Sequence, residues 1–171
     1  QTLTIGESLE LSGNAQLVLG YDQSLAVQSL QMSSASIVSA ERSQQGSTSL
    51  AVDSLVVDTL SSINDLSVAN ISSSATIEGR IISTNTLTLN VGRHGVGTFK
   101  ISQLGYVAAY TVIVNATSSS GSSLLVQGKM QATAGADGPF ALNCSSPANY
   151  DLSGLAHPLQ LYVGGGMEVS M

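Results

Sequence analysis

Carboxylates and histidines are the side chains here best suited to acid–base chemistry. Glycoside hydrolysis would need two carboxylates about 5 to 9.5 Å apart in a cleft. Asp53, Asp58, Asp65 and Glu78 instead stand singly among Ser and Thr, as charges do that solvate an outer face and discourage edge pairing of strands. Beyond residue 98 the only acids are Asp137, Asp151 and Glu168. The pattern gives no catalytic constellation, and the chain does not read as an enzyme. His94, in Arg93-His94-Gly95, reads as a loop histidine rather than a metal ligand or switch. Cys144 is the single cysteine, which excludes a disulfide framework and a clustered zinc site. Gly164-Gly165-Gly166 is followed by neither Lys nor a helix start, so it reads as a turn and not a phosphate loop. Asn70, Asn115 and Asn143 each open an Asn-x-Ser/Thr triplet, a weak pattern that assigns no role. One group is more suggestive. Asn149, Tyr150, Asp151 and His157 combine an aromatic face with amide, carboxylate and imidazole groups, which suits a polyhydroxylated ligand. These four are the candidate ligand-binding residues, and no cofactor or metal is implied.

The composition narrows what can position such residues. Of 171 residues only 9% are charged, and the net charge is −6, the wrong sign for a nucleic-acid partner. Ser numbers 29 and Thr 12, where a helical bundle would carry Ala, Glu, Lys and Arg. The longest apolar run, Tyr106 to Val114, is broken by Thr111 and falls short of the about 18 residues of a membrane span. No signal peptide is visible, and Gln1 is not an initiator Met, so the chain reads as a fragment or a processed form.

Apolar residues alternate with polar ones: Leu3 and Ile5, Leu9 and Leu11, Leu25 and Val27, Leu50 and Val52, Leu55 and Val57, Leu87 and Leu89. A spacing of two puts these side chains on one face of a strand. A repeat overlies the alternation. Residues 24–32 read SLAVQSLQM, residues 49–57 read SLAVDSLVV, and residues 74–82 read SATIEGRII, at a period of 25. A fixed period of this size signals stacked units, none of which can bury its apolar face alone.

The two halves differ. Residues 1–92 carry eight acids and two bases, with one aromatic, Tyr21; six of the seven Phe and Tyr follow residue 98. The expected organisation is a β-structured shaft over 1–92, a glycine-rich joint over 93–98 and a C-terminal knob over 99–171. Within the last segment, strands are expected at Thr98–Ile101, Tyr106–Asn115, Leu124–Thr133, Phe140–Asn143, Leu159–Val163 and Met167–Met171, which reads as a β-sandwich or jelly-roll-like knob.

The phrases Thr2-Leu3-Thr4-Ile5-Gly6, Ser8-Leu9-Glu10-Leu11-Ser12-Gly13 and Thr86-Leu87-Thr88-Leu89-Asn90-Val91-Gly92 resemble those of bacteriophage tail fibres and tailspikes. The resemblance implies a homotrimeric, all-β virion protein outside the cell: an elongated β-helical or intertwined shaft that joins other tail proteins, and a tip that binds a host glycan or lipopolysaccharide. It implies neither nucleic-acid binding nor membrane insertion. A purely structural stalk, a needle or assembly element, and a bacterial β-solenoid adhesin fit the same phrases. Either the chain coils on itself, or three chains wrap on one axis to cover the alternate apolar positions.

Overall fold

The computed structural model describes residues 1–20, 22–39, 48–92, 97–116, 123–132, 140–144, 149–151, 160–163 and 168–170. They form β1 (Thr2–Ser12), β2 (Gln16–Leu19), β3 (Ser24–Ser33), β4 (Ser36–Ser39), β5 (Ser49–Val57), β6 (Ser62–Asn64), β7 (Val68–Ile77), β8 (Arg80–Ile82) and β9 (Thr86–Val91). Then follow β10 (Thr98–Ile101), β11 (Tyr106–Ala109), β12 (Thr111–Ala116), β13 (Ser123–Val126), β14 (Lys129–Ala132), β15 (Phe140–Cys144), β16 (Asn149–Asp151), β17 (Gln160–Val163) and β18 (Glu168–Ser170). No described residue is helical.

The chain is a β-solenoid. Each strand pairs in parallel with its counterpart one coil away, in a twelve-stranded and a six-stranded sheet. The six-stranded sheet forms one face of the coil. The other sheet covers two faces: the first half of β7 pairs with β9, and its second half with β10. We call these the first and second faces, and the six-stranded sheet the third. The alternation read from the sequence turns every second side chain inward, and the inward side chains stack by register. Leu25, Leu50, Ala69 and Leu89 stack on the first face. On the second, Leu30, Leu55, Ala75, Phe99 and Leu124 do so. Ile37, Ile63, Ile81, Val107 and Met130 line the third. All these side chains are buried within one chain. Of the two ways to cover the apolar positions, the chain uses self-coiling, and no sister chain is needed for that cover. At the first coil, Ile5, Leu9, Leu11 and Leu17 are only partly buried and Leu3 is 49% exposed.

Residues 24–32 and 49–57 pair position for position across 25 residues, as the repeat requires. The third segment is displaced. Ser74 pairs with Ser54, 20 residues earlier, and not with Ser49. Coil length varies: Ala69 follows its partner Leu50 by 19 residues, whereas Leu142 follows Val114 by 28. Only the strands must keep register, so the corner segments are free to differ in length.

The sandwich reading of the last segment gives way to further coils. β10, β11 and β12 pair in parallel with β7, β8 and β9, and β13 and β14 pair in parallel with β10 and β11. β15 to β18 keep the same parallel pairing. A sandwich would have paired its strands antiparallel. Of the expected joint, residues 93–96 lie outside the described residues; at its edges Gly92 has φ +76° and Gly97 packs closely on the Gly92 backbone, leaving no room for a Cβ.

At one corner between the second and third faces, polar side chains close the turn. Asp58 Oδ1 accepts the Ser61 hydroxyl at 2.6 Å and the amides of Ser34 and Leu60 at 3.2 Å. The same Ser61 Oγ accepts the Ala35 N–H at 3.1 Å, tying two coils together. The Ser61 hydroxyl, supported by the two amides and opposed by partial burial, holds the Asp58 carboxyl below its ordinary value of 3.8. A carboxyl lowered on folding contributes stability above its unfolded pKa, and that contribution is lost as pH falls through the folded value. Chemical denaturation should therefore show a loss of stability below about pH 4, and Asp58→Asn should remove that part of the pH dependence.

Candidate functional site

Outward side chains also stack by register, and one column on the first face is distinctive. It reads Thr4, Ala26, Ala51, Asn70, Asn90 and Asn115. Asn90 Nδ2 donates to Asn70 Oδ1 at 2.8 Å, and Asn115 Nδ2 donates to Asn90 Oδ1 at 2.8 Å. The strands are about 4.8 Å apart, which lets one carboxamide reach the next. This ladder accounts for the triplets that open at Asn70 and Asn115. In Asn70-Ile71-Ser72 the asparagine joins the ladder while Ile71 is fully buried, so strand alternation alone generates the pattern. Asn90→Ala removes two of these bonds. At roughly 0.5–1.5 kcal/mol each, urea denaturation should show a loss of about 1–3 kcal/mol.

Where the column changes from asparagine to alanine, the surface is hollowed. An open trough of about 330 Å³ runs along the solenoid there. Ala26 and Ala51 form its floor with the edges of Ile5, Val27 and Val52. Thr4, Gln28, Asp53, Asn70 and Ser72 supply hydroxyl, amide and carboxylate groups around it. The ladder ends in the trough: the Asn70 oxygen is taken by Asn90, which leaves the Asn70 NH₂ group to a ligand. Such a surface presents polar groups on successive coils at a regular spacing, beside small apolar patches.

No protein family, curated protein or solved structure matches this chain. The lining of the trough includes one carboxylate, Asp53, where two-carboxylate hydrolysis requires a pair. Among the described residues no group of three or more His, Cys, Asp and Glu is placed to hold a metal, and no helix is long and apolar enough to cross a membrane.

Of the residues singled out in the sequence, Asn149, Tyr150 and Asp151 form β16. They pair with Ser123, Leu124 and Leu125 of β13, and β16 pairs in turn with β18. These three residues share a strand rather than a loop. His157 and His94 lie outside the described residues. The trough was not visible as a site in the sequence. Its one signal is the alanine at the same outward position of both long repeats, SLAVQS and SLAVDS, where the alternation calls for a polar residue.

Proposed function

We propose that the chain is the distal β-solenoid part of a phage tail fibre or spike, an extracellular virion protein that attaches the particle to a host-surface glycan such as lipopolysaccharide. The observation that supports this reading best is the axial trough, with polar groups repeating coil by coil around a floor of Ala26 and Ala51. Binding is non-catalytic: a single carboxylate holds and orients, and lacks the partner that bond cleavage would need. The rigid coil fixes the trough so that little ordering accompanies binding, which favours affinity. Three copies in one fibre multiply weak contacts through effective concentration. Homotrimeric assembly and attachment to other tail proteins follow from the resemblance, since the coil covers its own core. Asn149, Tyr150, Asp151 and His157 stay in this proposal as contacts near the C-terminal coils.

A glycan array probed with the full chain tests the reading. Ala51→Phe fills the trough from an outward position, so it should weaken binding about tenfold while stability stays within about 0.5 kcal/mol. Absence of any bound glycan removes the reading. Binding that survives Ala51→Phe and is lost in Tyr150→Ala transfers the receptor site to the C-terminal coils. A second reading, a bacterial β-solenoid adhesin, is favoured by the closure of the apolar core within one chain. Light scattering separates the two: a mass of three 17.4 kDa chains fits the fibre, and a mass of one fits the solenoid adhesin.

A further inference from the structure

The corner between the second and third faces differs from the rest of the surface in two ways. First, it is crested by leucines. The turns 58–61 and 102–105 close with the same backbone bond, Ser61 N–H to Asp58 O at 3.0 Å and Gly105 N–H to Ser102 O at 2.8 Å. Each turn lifts a leucine clear of the coil: Leu60 is 76% exposed and Leu104 77%. They lie two coils apart, about 10 Å along the axis, and the coil between them turns through the shorter Glu78-Gly79 corner. Val56 adds an exposed apolar side chain beside Leu60.

Second, the ridge gathers the cations. Of the five basic residues, Arg42 and Arg93 lie outside the described residues, and the other three all flank this corner. Arg80 and Lys129 open β8 and β14 directly after it, and Lys100 lies in β10 just before the 102–105 turn. Arg80, Tyr106 and Lys129 stack in register, with the Lys129 Nζ 5.8 Å from the centre of the Tyr106 ring. None of the three cations forms an ion pair with a described residue. The acids nearby are Glu78 and Asp58; Asp58 stays charged, held by hydrogen bonds from Ser61, Ser34 and Leu60, so the three cations outnumber two carboxylates at the ridge. Residues 58–131, which span the ridge, carry Arg80, Arg93, Lys100 and Lys129 against Asp58, Asp65 and Glu78, in a chain whose net charge is −6.

A sugar chain would gain little from two leucines raised into water, and a polyanion would not need them. An anionic lipid layer uses both features, since hydrocarbon receives the leucines while phosphate groups meet the cations around them. We propose that this ridge docks on an anionic lipid surface, with Leu60 and Leu104 entering the acyl boundary and Arg80, Lys100 and Lys129 at the phosphate level. The proposal is independent of the trough, which lies at a different corner of the coil.

Sedimentation of the full chain with vesicles tests it. Vesicles of two parts phosphatidylcholine to one part phosphatidylglycerol should bind at least about tenfold more tightly than phosphatidylcholine alone, and added salt should weaken that binding. A Leu60→Ser, Leu104→Ser double variant should lose about tenfold or more. An Arg80→Gln, Lys100→Gln, Lys129→Gln triple variant should lose as much and become insensitive to salt. Both variants change exposed or half-exposed side chains, and their melting curves should match the parent. The proposal is overturned if the parent chain fails to sediment, if the two vesicles bind alike, or if either variant binds as the parent does. Retention on an anionic polysaccharide without vesicle binding would overturn it equally, by showing a polyanion site.

Discussion

Gly105→Ala is expected to destabilise the fold by about 3 kcal/mol or more, at or beyond the upper end of ordinary overpacking. A Cβ at this position would lie 2.1 Å from the Ile77 carbonyl oxygen and 2.8 Å from the Ile101 side chain. The first obstacle is backbone of the coil above, which cannot yield without breaking ladder bonds. Gly79 and Gly128 occupy the same place in neighbouring coils and face the same obstacle, with carbonyl oxygens at 2.2 Å in both cases. Each directly precedes the strand that opens with Arg80, Tyr106 or Lys129, and in the three earlier coils that place is taken by Ala15, Ala35 and Ser61. The column is small throughout because successive corners nest closely. Gly6→Ala is the control. A Cβ there meets nothing within 4 Å, and the residue lies outside the left-handed region. Its effect should stay within about 0.5 kcal/mol. Urea denaturation of the two variants checks both, and equal stabilities would contradict the nested corner.

Phe99→Ala should cost about 3–5 kcal/mol, the range for removing a buried aromatic ring. Phe99 is fully buried and stacks between Ala75 in the coil above and Leu124 in the coil below. The small alanine makes room for the ring, so the pair fits as a unit. Ala75→Leu should then be destabilising in the parent, because it crowds the ring, and less so when Phe99 is already alanine. A double-mutant cycle measured by urea denaturation reads that coupling directly. Additive effects would show that the ring and Ala75 do not share space.

The alternation and the 25-residue match between β3 and β5 were legible because strand period and register act locally on the chain. Nearly every strand expected after residue 98 was also found, but two were read as longer than they are. Tyr106–Asn115 divides at Tyr110 into β11 and β12, and Leu124–Thr133 divides at Gln127-Gly128 into β13 and β14. Those corners bend the chain without a proline or a cluster of turn residues, so composition gave no break. The pairing direction was also hidden. Period two is the same for antiparallel and parallel strands, and only the long-range contacts decide between them. The amide ladder and the trough arise from side chains about 20 to 25 residues apart that meet through the coil, and no local window holds them together. No strand was expected between Phe140–Asn143 and Leu159–Val163, whereas the coil makes Asn149–Asp151 a strand paired with β13.

Parallel stacking also has a mechanical outcome. A pull applied across the coil from end to end meets ladders that hold only to the coil above and the coil below, so an outermost turn can peel away while the others keep their bonds. Each turn that peels would lengthen the tether by roughly 3.3–3.6 Å for every residue it frees. A coil held at its two ends would therefore yield to tension in discrete steps, one turn at a time.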